Sequence, residues 1–178
     1  GYFETLDSVL EIGTGTAQHA LHFAQNYPNL CWQTSDRIEY LDGIRAQLSH
    51  AQIDNVLPPL ELDVNQAEWA KSRRYKAVYT ANTLHIMNEN DVRAFFNGIS
   101  AVLETSAWLF VYGPFKYDQQ FTSQSNHQFD QSLRSRGVGS AIRDFEWVNE
   151  LAQKVGFVLL EDVAMPANNQ CLIWQKSG

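Results

Sequence analysis

Cysteine is nearly absent: Cys31 and Cys171 are the only two in 178 residues. Both fall in apolar, strand-like stretches, which argues against a disulfide framework and for a reducing compartment, the cytoplasm. Basic residues are also scarce. Thirteen Lys and Arg against 20 Asp and Glu leave a formal charge of −7, whereas a grip on nucleic acid needs clustered positive charge to displace counterions. The one dense basic cluster, "KSRRYK" (71–76), reads as a solvated helix end. No apolar run approaches the ~20 residues of a membrane span, and no signal-peptide pattern opens the chain. There is no internal repeat and no low-complexity tract. These absences point to an ordinary globular chain with a small-molecule partner, and to neither nucleic acid nor membrane. They leave the oligomeric state open. Gly1 stands where an initiating Met would, so native residues are expected upstream.

What is present alternates with two periods. Apolar strand-like runs at 8–13, 30–36, 59–64, 76–82 and 107–113 are interleaved with segments of helical spacing. The helical faces are marked by Ala17, Ala20, Leu21 and Ala24, by Leu41, Ile44 and Leu48, by Val92, Phe95, Phe96, Ile99 and Leu103, and by Val148, Leu151, Ala152 and Val155. Gly156 follows the last of these as a helix-ending glycine. Two final strands, 157–163 and 170–175, flank "AMPANN", a linker too short for a helical crossover, so they form an antiparallel hairpin. The expected fold is α/β: a Rossmann-like, doubly wound, seven-stranded sheet, mostly parallel with an antiparallel C-terminal hairpin strand. It reads as one domain over 1–178, interrupted by a polar, aromatic-studded insertion at 114–145 that is too long for a simple connection.

In an open parallel sheet, ligands bind beyond the carboxyl ends of the strands, at the point where strand order reverses. The first strand ends there in "EIGTGTA", with Gly13 for a tight turn and Gly15 for a close backbone approach. Asp36 closes the second strand, where a carboxylate can accept from both ribose hydroxyls. Asp63, at the end of the third, is placed to accept from an exocyclic amine of a base. Glu11 precedes the first glycine by two residues, which dinucleotide-binding loops do not require.

"LEIGTGTA" resembles motif I of the class I S-adenosylmethionine-dependent methyltransferases, E-x-G-x-G-x-G, with Ala17 in place of the last glycine. The terminal hairpin is similar to that class too. More narrowly, "VLEIGTGTAQHALHFA", "NTLHI", "SNHQFD", "IRD" and "MPANN" together resemble the methyltransferase-like proteins grouped as domain of unknown function 938, a likeness covering the chain from residue 9. That group carries a further helical segment ahead of strand one. The resemblance implies an S-adenosylmethionine-dependent methyltransferase, with S-adenosylhomocysteine as product. It implies that Glu11, Gly13 and Gly15 hold the methionyl end, Asp36 the ribose, and Asp63 with Val64 the adenine, with Thr14, Thr16 and Arg37 as further cofactor contacts. His19 borders the cofactor at the helix start, and Asn82 and Thr83 touch it from below. A carboxylate-bearing loop suits a cationic sulfonium better than a pyrophosphate. An NAD-dependent oxidoreductase, and a cofactor-binding module without methyl transfer, are the competing readings.

The fourth strand runs into "TANTLHIM", without the [DNS]-P-P-aromatic motif of enzymes that methylate DNA bases. His85 is the candidate general base, to be expected with a pKa of about 6 to 7; alternatively it packs over the cofactor or caps the next helix. His19 and His22 share a helix edge but have no further ligand at metal spacing, so no metal is expected. In the insertion, Tyr117, Phe121, His127, Phe129, Asp130, Arg143 and Asp144 are candidate substrate contacts. Phe129 and Leu133 mark the inward face of a short lid helix. Asn168 and Asn169, in the last hairpin, are candidates for the same pocket, or simply turn residues.

Overall fold

The computed structural model describes residues 1–66, 69 and 73–178. Lys71 and Ser72 of the "KSRRYK" cluster therefore lie outside the described residues. Seven strands form the main sheet: β1 (Ser8–Glu11), β2 (Cys31–Asp36), β3 (Val56–Glu61), β4 (Tyr75–Ala81), β5 (Leu103–Gly113), β9 (Phe157–Met165) and β10 (Asn169–Lys176). Their spatial order is β3-β2-β1-β4-β5-β10-β9. The first five run parallel; β10 is antiparallel to both β5 and β9, inserted between them as the hairpin pattern requires. Chain order reverses between β1 and β4, so the crevice lies beyond the carboxyl ends of those two strands.

Helices cover the two faces. On one, α3 (Glu89–Val102) and α5 (Phe145–Lys154) bury Phe95, Phe96, Ile99, Val148 and Leu151 against Leu109 and Trp174. α3 starts on a reciprocal cap, in which Asn88 Oδ1 accepts from Asp91 N and Asp91 Oδ2 from Asn88 N. On the other face, α1 (Gln18–Asn26) places Ala20 and Ala24 on the sheet. Phe23 of α1 stacks on Trp32 at 5.0 Å, and Phe3, from the short 3-10 turn Tyr2–Thr5, joins them. α2 (Leu41–Ala51) seats Leu41 and Ile44 beside them. Among the described residues, no helix is long and apolar enough to cross a membrane.

Two strands differ from the expected bounds by three residues or more. The third runs 56–61, not 59–64, because Pro58 and Pro59, which lack a donor, sit inside an edge strand where that is tolerated. Side chains of β2 replace part of the ladder: Gln33 Nε2 donates to Pro58 O at 2.8 Å and Thr34 Oγ1 to Leu57 O at 2.8 Å. Asp63 and Val64 consequently lie in the loop past the strand. The fifth strand begins at Leu103, directly where α3 ends, and absorbs a kink at Ser106 (φ 59°).

The 114–145 segment is ordered as β6 (Phe115–Tyr117), β7 (Gln120–Phe121), α4 (Gln124–Arg134) and β8 (Arg143–Asp144); the strands form a small sheet, β7-β6-β8. The helix does exist, but its buried face is Asn126, Asp130 and Leu133. Phe129 is 37% exposed, at the edge of that face, so the expected Phe129/Leu133 pairing is corrected: residues 126, 130 and 133 share one side of the helix.

Candidate functional site

Gly13 has φ +76°, and a Cβ there would lie 2.5 Å from Thr83 Cγ2. The first glycine is thus required twice, by backbone conformation and by the close approach of the β4 loop. The amides of Gly13, Thr14 and Gly15 are consumed internally. Gly13 N and Thr14 N both donate to Ser35 O, at 3.1 and 3.0 Å. Gly15 N donates to Asp36 Oδ2 at 2.8 Å, and Asp36 Oδ1 accepts from Arg37 N at 2.8 Å. Thr14 is turned inward, its hydroxyl donating to Glu11 Oε2 and accepting from Ser35 N, each at 3.0 Å. The same Glu11 oxygen accepts from Trp32 Nε1 at 3.0 Å.

Glu11 is 1% exposed. Burial raises its carboxyl pKa to about 7, outweighing the hydrogen bonds from Trp32 and Thr14 that lower it. The expectation that Glu11 and the Thr14 side chain face a ligand is therefore corrected: both lie beneath the loop and brace it.

A cavity of about 440 Å³ opens beyond the strand ends, within the ~300–1,000 Å³ range of small-molecule sites. Gly13, Gly15, Asp36, Arg37, Asp63, Val64, Asn82 and Thr83 line it, eight of the residues named from sequence. Thr16 and His19 are not on its wall. His19 packs against Tyr79 and Tyr112 at 5.5 and 6.5 Å, its pKa lowered first by burial and then by His22. Ile12, Tyr40, Leu62, Asn65, Ala81, Ile86, Met87 and Asp91 complete the lining. Tyr40 and Ile86, 51% and 54% exposed, carried a signal only the fold makes legible: large apolar groups left open beside a crevice. Asp91 reaches the wall from the first turn of α3, where Asn65 Nδ2 donates to it at 2.9 Å. Among the described residues, Arg37 is the one cation on the wall, against Asp36, Asp63 and Asp91, and it is itself paired with Glu39. Among the described residues, no three His, Cys, Asp or Glu side chains gather as a metal site.

The turn after β4 forms the facing wall. Asn82 is left-handed (φ 58°), Thr83 Oγ1 meets Thr80 Oγ1 at 2.6 Å, and Ile86 N and Met87 N return to Thr83 O at 2.9 and 3.1 Å. His85 sits between lining residues of this turn, 6% exposed, with the Phe129 ring edge-on at 5.3 Å. A Cβ on Gly113 would come 3.6 Å from its Nδ1. Burial, then the charges of Arg143 and Arg136, lower the imidazole pKa to about 4. The expected value of 6 to 7 is corrected accordingly: the ring is neutral at physiological pH.

The residues expected to bind substrate are mostly engaged by backbone groups and neighbouring side chains. Arg143, 6% exposed, donates to the carbonyls of Leu84 (3.2 Å), Met87 and Gly139 (2.7 Å). Asp130, 4% exposed, accepts from Ile142 N at 2.8 Å and Arg134 Nε at 2.6 Å. Neither is free to meet a ligand, and both are corrected to internal supports. Asp144 pairs with Lys116 at 3.2 Å, and Tyr117 donates to Asp162 at 2.8 Å. His127 stacks on Phe121 at 5.0 Å. Asn168 bridges to α4, its carbonyl accepting from Asn126 Nδ2 at 3.0 Å, and Asn169 Nδ2 donates to the Tyr112 hydroxyl at 3.1 Å. Phe129 alone of this group packs against His85.

Residues 1–176 match the family model described as "Protein of unknown function (DUF938)", and the chain belongs to that family. Its fold is that of class I methyltransferases. An O-methyltransferase family protein from Burkholderia thailandensis superposes with a TM-score of 0.90 at 15% identity, over 100% of this chain and 53% of that one. The mitomycin 7-O-methyltransferase MmcR gives 0.84 at 17% identity, over 98% and 50%. Human N-acetylserotonin methyltransferase, solved in complex with SAM, gives 0.83 at 12% identity, over 99% and 49%. The chain spans about half the length of these solved proteins.

Proposed function

We propose that this chain is an S-adenosylmethionine-dependent methyltransferase acting on a small-molecule acceptor, with His85 as the group that receives the acceptor's proton. The observation that carries the reading is the state of the loop after β1. Three successive amides, Gly13, Thr14 and Gly15, are already engaged by Ser35 O and the Asp36 carboxylate. A pyrophosphate would find these three amides already taken and a carboxylate beside them, which disfavours NAD. A cationic ligand with a ribose finds the reverse. Each Asp36 oxygen keeps a lone pair beyond its backbone donor, Gly15 offers an open backbone with nothing within 4 Å of a Cβ position, and among the described residues the wall carries more carboxylates than cations. The residues present fit this cofactor.

Bound there, S-adenosylmethionine supplies an electrophilic methyl group on a sulfonium. Asp36 takes the ribose hydroxyls, Asp63 with Val64 the adenine edge, and Asn82 and Thr83 the near wall. Holding the acceptor in line at ~3–3.5 Å supplies most of the rate enhancement such a displacement needs. A neutral imidazole at His85, already dry and closed over by Phe129, accepts the proton that a hydroxyl acceptor loses. The 1–178 stretch acts as one domain, in which 114–145 shapes the acceptor side through Phe129. Its two free cysteines accord with a reducing cytoplasm.

Thermal unfolding tests the assignment. S-adenosylhomocysteine at ~100 times its Kd stabilises by about 2.7 kcal/mol and raises the Tm, whereas NAD leaves it in place. An equal rise with NAD, or none with the sulfur ligand, removes the cofactor reading.

A further inference from the structure

Residues 140–143 lie directly behind the turn that carries His85, more than fifty positions away in sequence. Four successive carbonyls of that turn are each taken by a donor from this strap. Leu84 O accepts from Arg143 Nε at 3.2 Å, His85 O from Ala141 N at 3.0 Å, Ile86 O from Ser140 Oγ at 2.6 Å, and Met87 O from Arg143 Nη2. The strap is itself pinned by Asp130, which accepts from Ile142 N at 2.8 Å while holding Arg134. Arg143 is 6% exposed, and its nearest carboxylate, Glu89, is 4.0 Å away. A buried guanidinium whose bonds run to carbonyls is expensive to desolvate and adds less to stability than an apolar side chain of its size. It does fix geometry, because five N–H groups in a rigid plane can hold several oxygens at set angles where a lysine's single ammonium cannot.

We propose that Arg143 is a positioning residue for the methyl-transfer step: its guanidinium spans the carbonyls of Leu84, Met87 and Gly139 and thereby fixes the turn that carries the His85 imidazole among the cavity-lining Thr83, Ile86 and Met87. This rests on the reading of His85 as the proton acceptor. The charges around the imidazole are Arg143 from the strap and Arg136 just past the end of α4, with Glu89 and Asp91 at the start of α3 and Asp130 and Arg134 on α4 facing the guanidinium. α4 also contributes the uncharged Phe129, and the end of β5 contributes Gly113. Losing the fork frees the turn and lets water reach the ring, so the same change that misplaces the base also makes it easier to protonate.

Proton NMR titration of the five histidines reads this without any acceptor, His85 being identified by its loss in His85→Gln. In the wild type its midpoint lies well below those of exposed histidines. Arg143→Gln raises that midpoint by a pH unit or more. Arg143→Lys, which keeps the charge, also raises it and broadens the ring signals, and Ser140→Ala moves it in the same direction by less. Arg143→Lys keeps S-adenosylhomocysteine affinity within about threefold, showing that the cavity survives. Should Arg143→Gln not fold, the Lys and Ser140→Ala variants carry the test. Folded variants with an unmoved His85 midpoint, or equal shifts at all five histidines, overturn the proposal. If His85→Gln turns over acceptor normally while the shifts occur, the coupling stands and the base assignment is overturned instead.

Discussion

The turns after β1 and β4 face each other across one cavity, yet they are held by opposite means. The first is self-contained: its amides and Thr14 hydroxyl are absorbed by Glu11, Ser35 and Asp36, all within 25 positions of it. The second holds only its own tight turn on Thr83, and its carbonyls are satisfied from 140–143. A loop braced from within presents a rigid wall to a cofactor of fixed shape. A loop braced from a separate segment can be re-aimed by changes in that segment, which suits the proposed acceptor side.

The largest effect should come from the second turn. His85→Gln should lower kcat on an acceptor found by screening by ~10²–10⁴-fold while leaving S-adenosylhomocysteine affinity nearly intact. Because the ring is neutral down to about pH 4, the wild-type rate should stay flat from pH 8 to pH 5 and fall only below that. Measured pH–rate profiles decide the point. A fall near pH 6.5 would mean an open, solvated imidazole. A variant that loses cofactor affinity instead would make His85 a packing residue.

Rigidity of the first turn is tested by its glycines. Gly13→Ala forces a Cβ to 2.5 Å from Thr83 Cγ2 at φ +76°, so left-handed strain of ~1–2 kcal/mol and overpacking of ~1–3 kcal/mol add. Gly15→Ala meets nothing within 4 Å at φ +58° and should cost only the strain, ~1–2 kcal/mol. Denaturant midpoints of the two variants should differ in that order; equal losses would mean that Thr83 yields and the two loops are not in fixed contact.

This division also explains what was legible in the sequence. The β1 turn announces itself because its signals are local: Gly13, Gly15 and Asp36 sit at spacings set by one strand–turn–strand unit, and all three line the cavity. Seven strands and their hairpin were readable from alternating periods for the same reason. The third strand was misplaced because two prolines read as a terminus, while an edge position and the Gln33 and Thr34 side chains make them tolerable. Glu11 was read as facing a ligand because sequence gives a residue's position but not the side of the loop its carboxylate takes. Arg143 and Asp130 were read as substrate contacts because polar residues in a long segment look exposed. Their partners are backbone carbonyls and amides, which leave no mark in a residue pattern.

Glu11 offers a pH-dependent measure of the internal brace. Its folded pKa of about 7 lies above the ordinary 4.5, so the stability it lends is complete below about 4.5 and is lost as pH rises through about 7. At pH 8 the buried charge costs up to ~3 kcal/mol by linkage. Glu11→Gln, neutral at every pH, should abolish that slope and equal or exceed the wild type in stability at pH 8. Chemical denaturation from pH 5 to pH 8 reads the difference. An undiminished slope would place the titrating group elsewhere.

The smallest effects belong to the two carboxylates on the cofactor wall, and their difference sharpens the contrast between a braced and an open rim. Asp36 has one oxygen on Gly15 N and the other on Arg37 N, at 2.8 Å each, so it anchors the glycine turn and still has lone pairs for two ribose hydroxyls. Asp63 Oδ1 is engaged by Asn65 N at 2.9 Å, and the group has a single amine to meet. Charge-assisted bonds of ~1.5–3 kcal/mol predict a rise in the Kd for S-adenosylhomocysteine of roughly 10–100-fold in Asp36→Ala. Asp63→Ala should cost roughly threefold to tenfold, since adenine keeps its apolar contacts. Asp36→Asn separates the two duties: an amide can still accept from Gly15 N, so the turn holds, but it binds the ribose without charge and should fall between the other two. Calorimetry, with circular dichroism to confirm folding, ranks them. Asp63→Ala costing more than Asp36→Ala would move the ribose away from the end of β2, and with it the claim that the internally braced turn is the cofactor's wall.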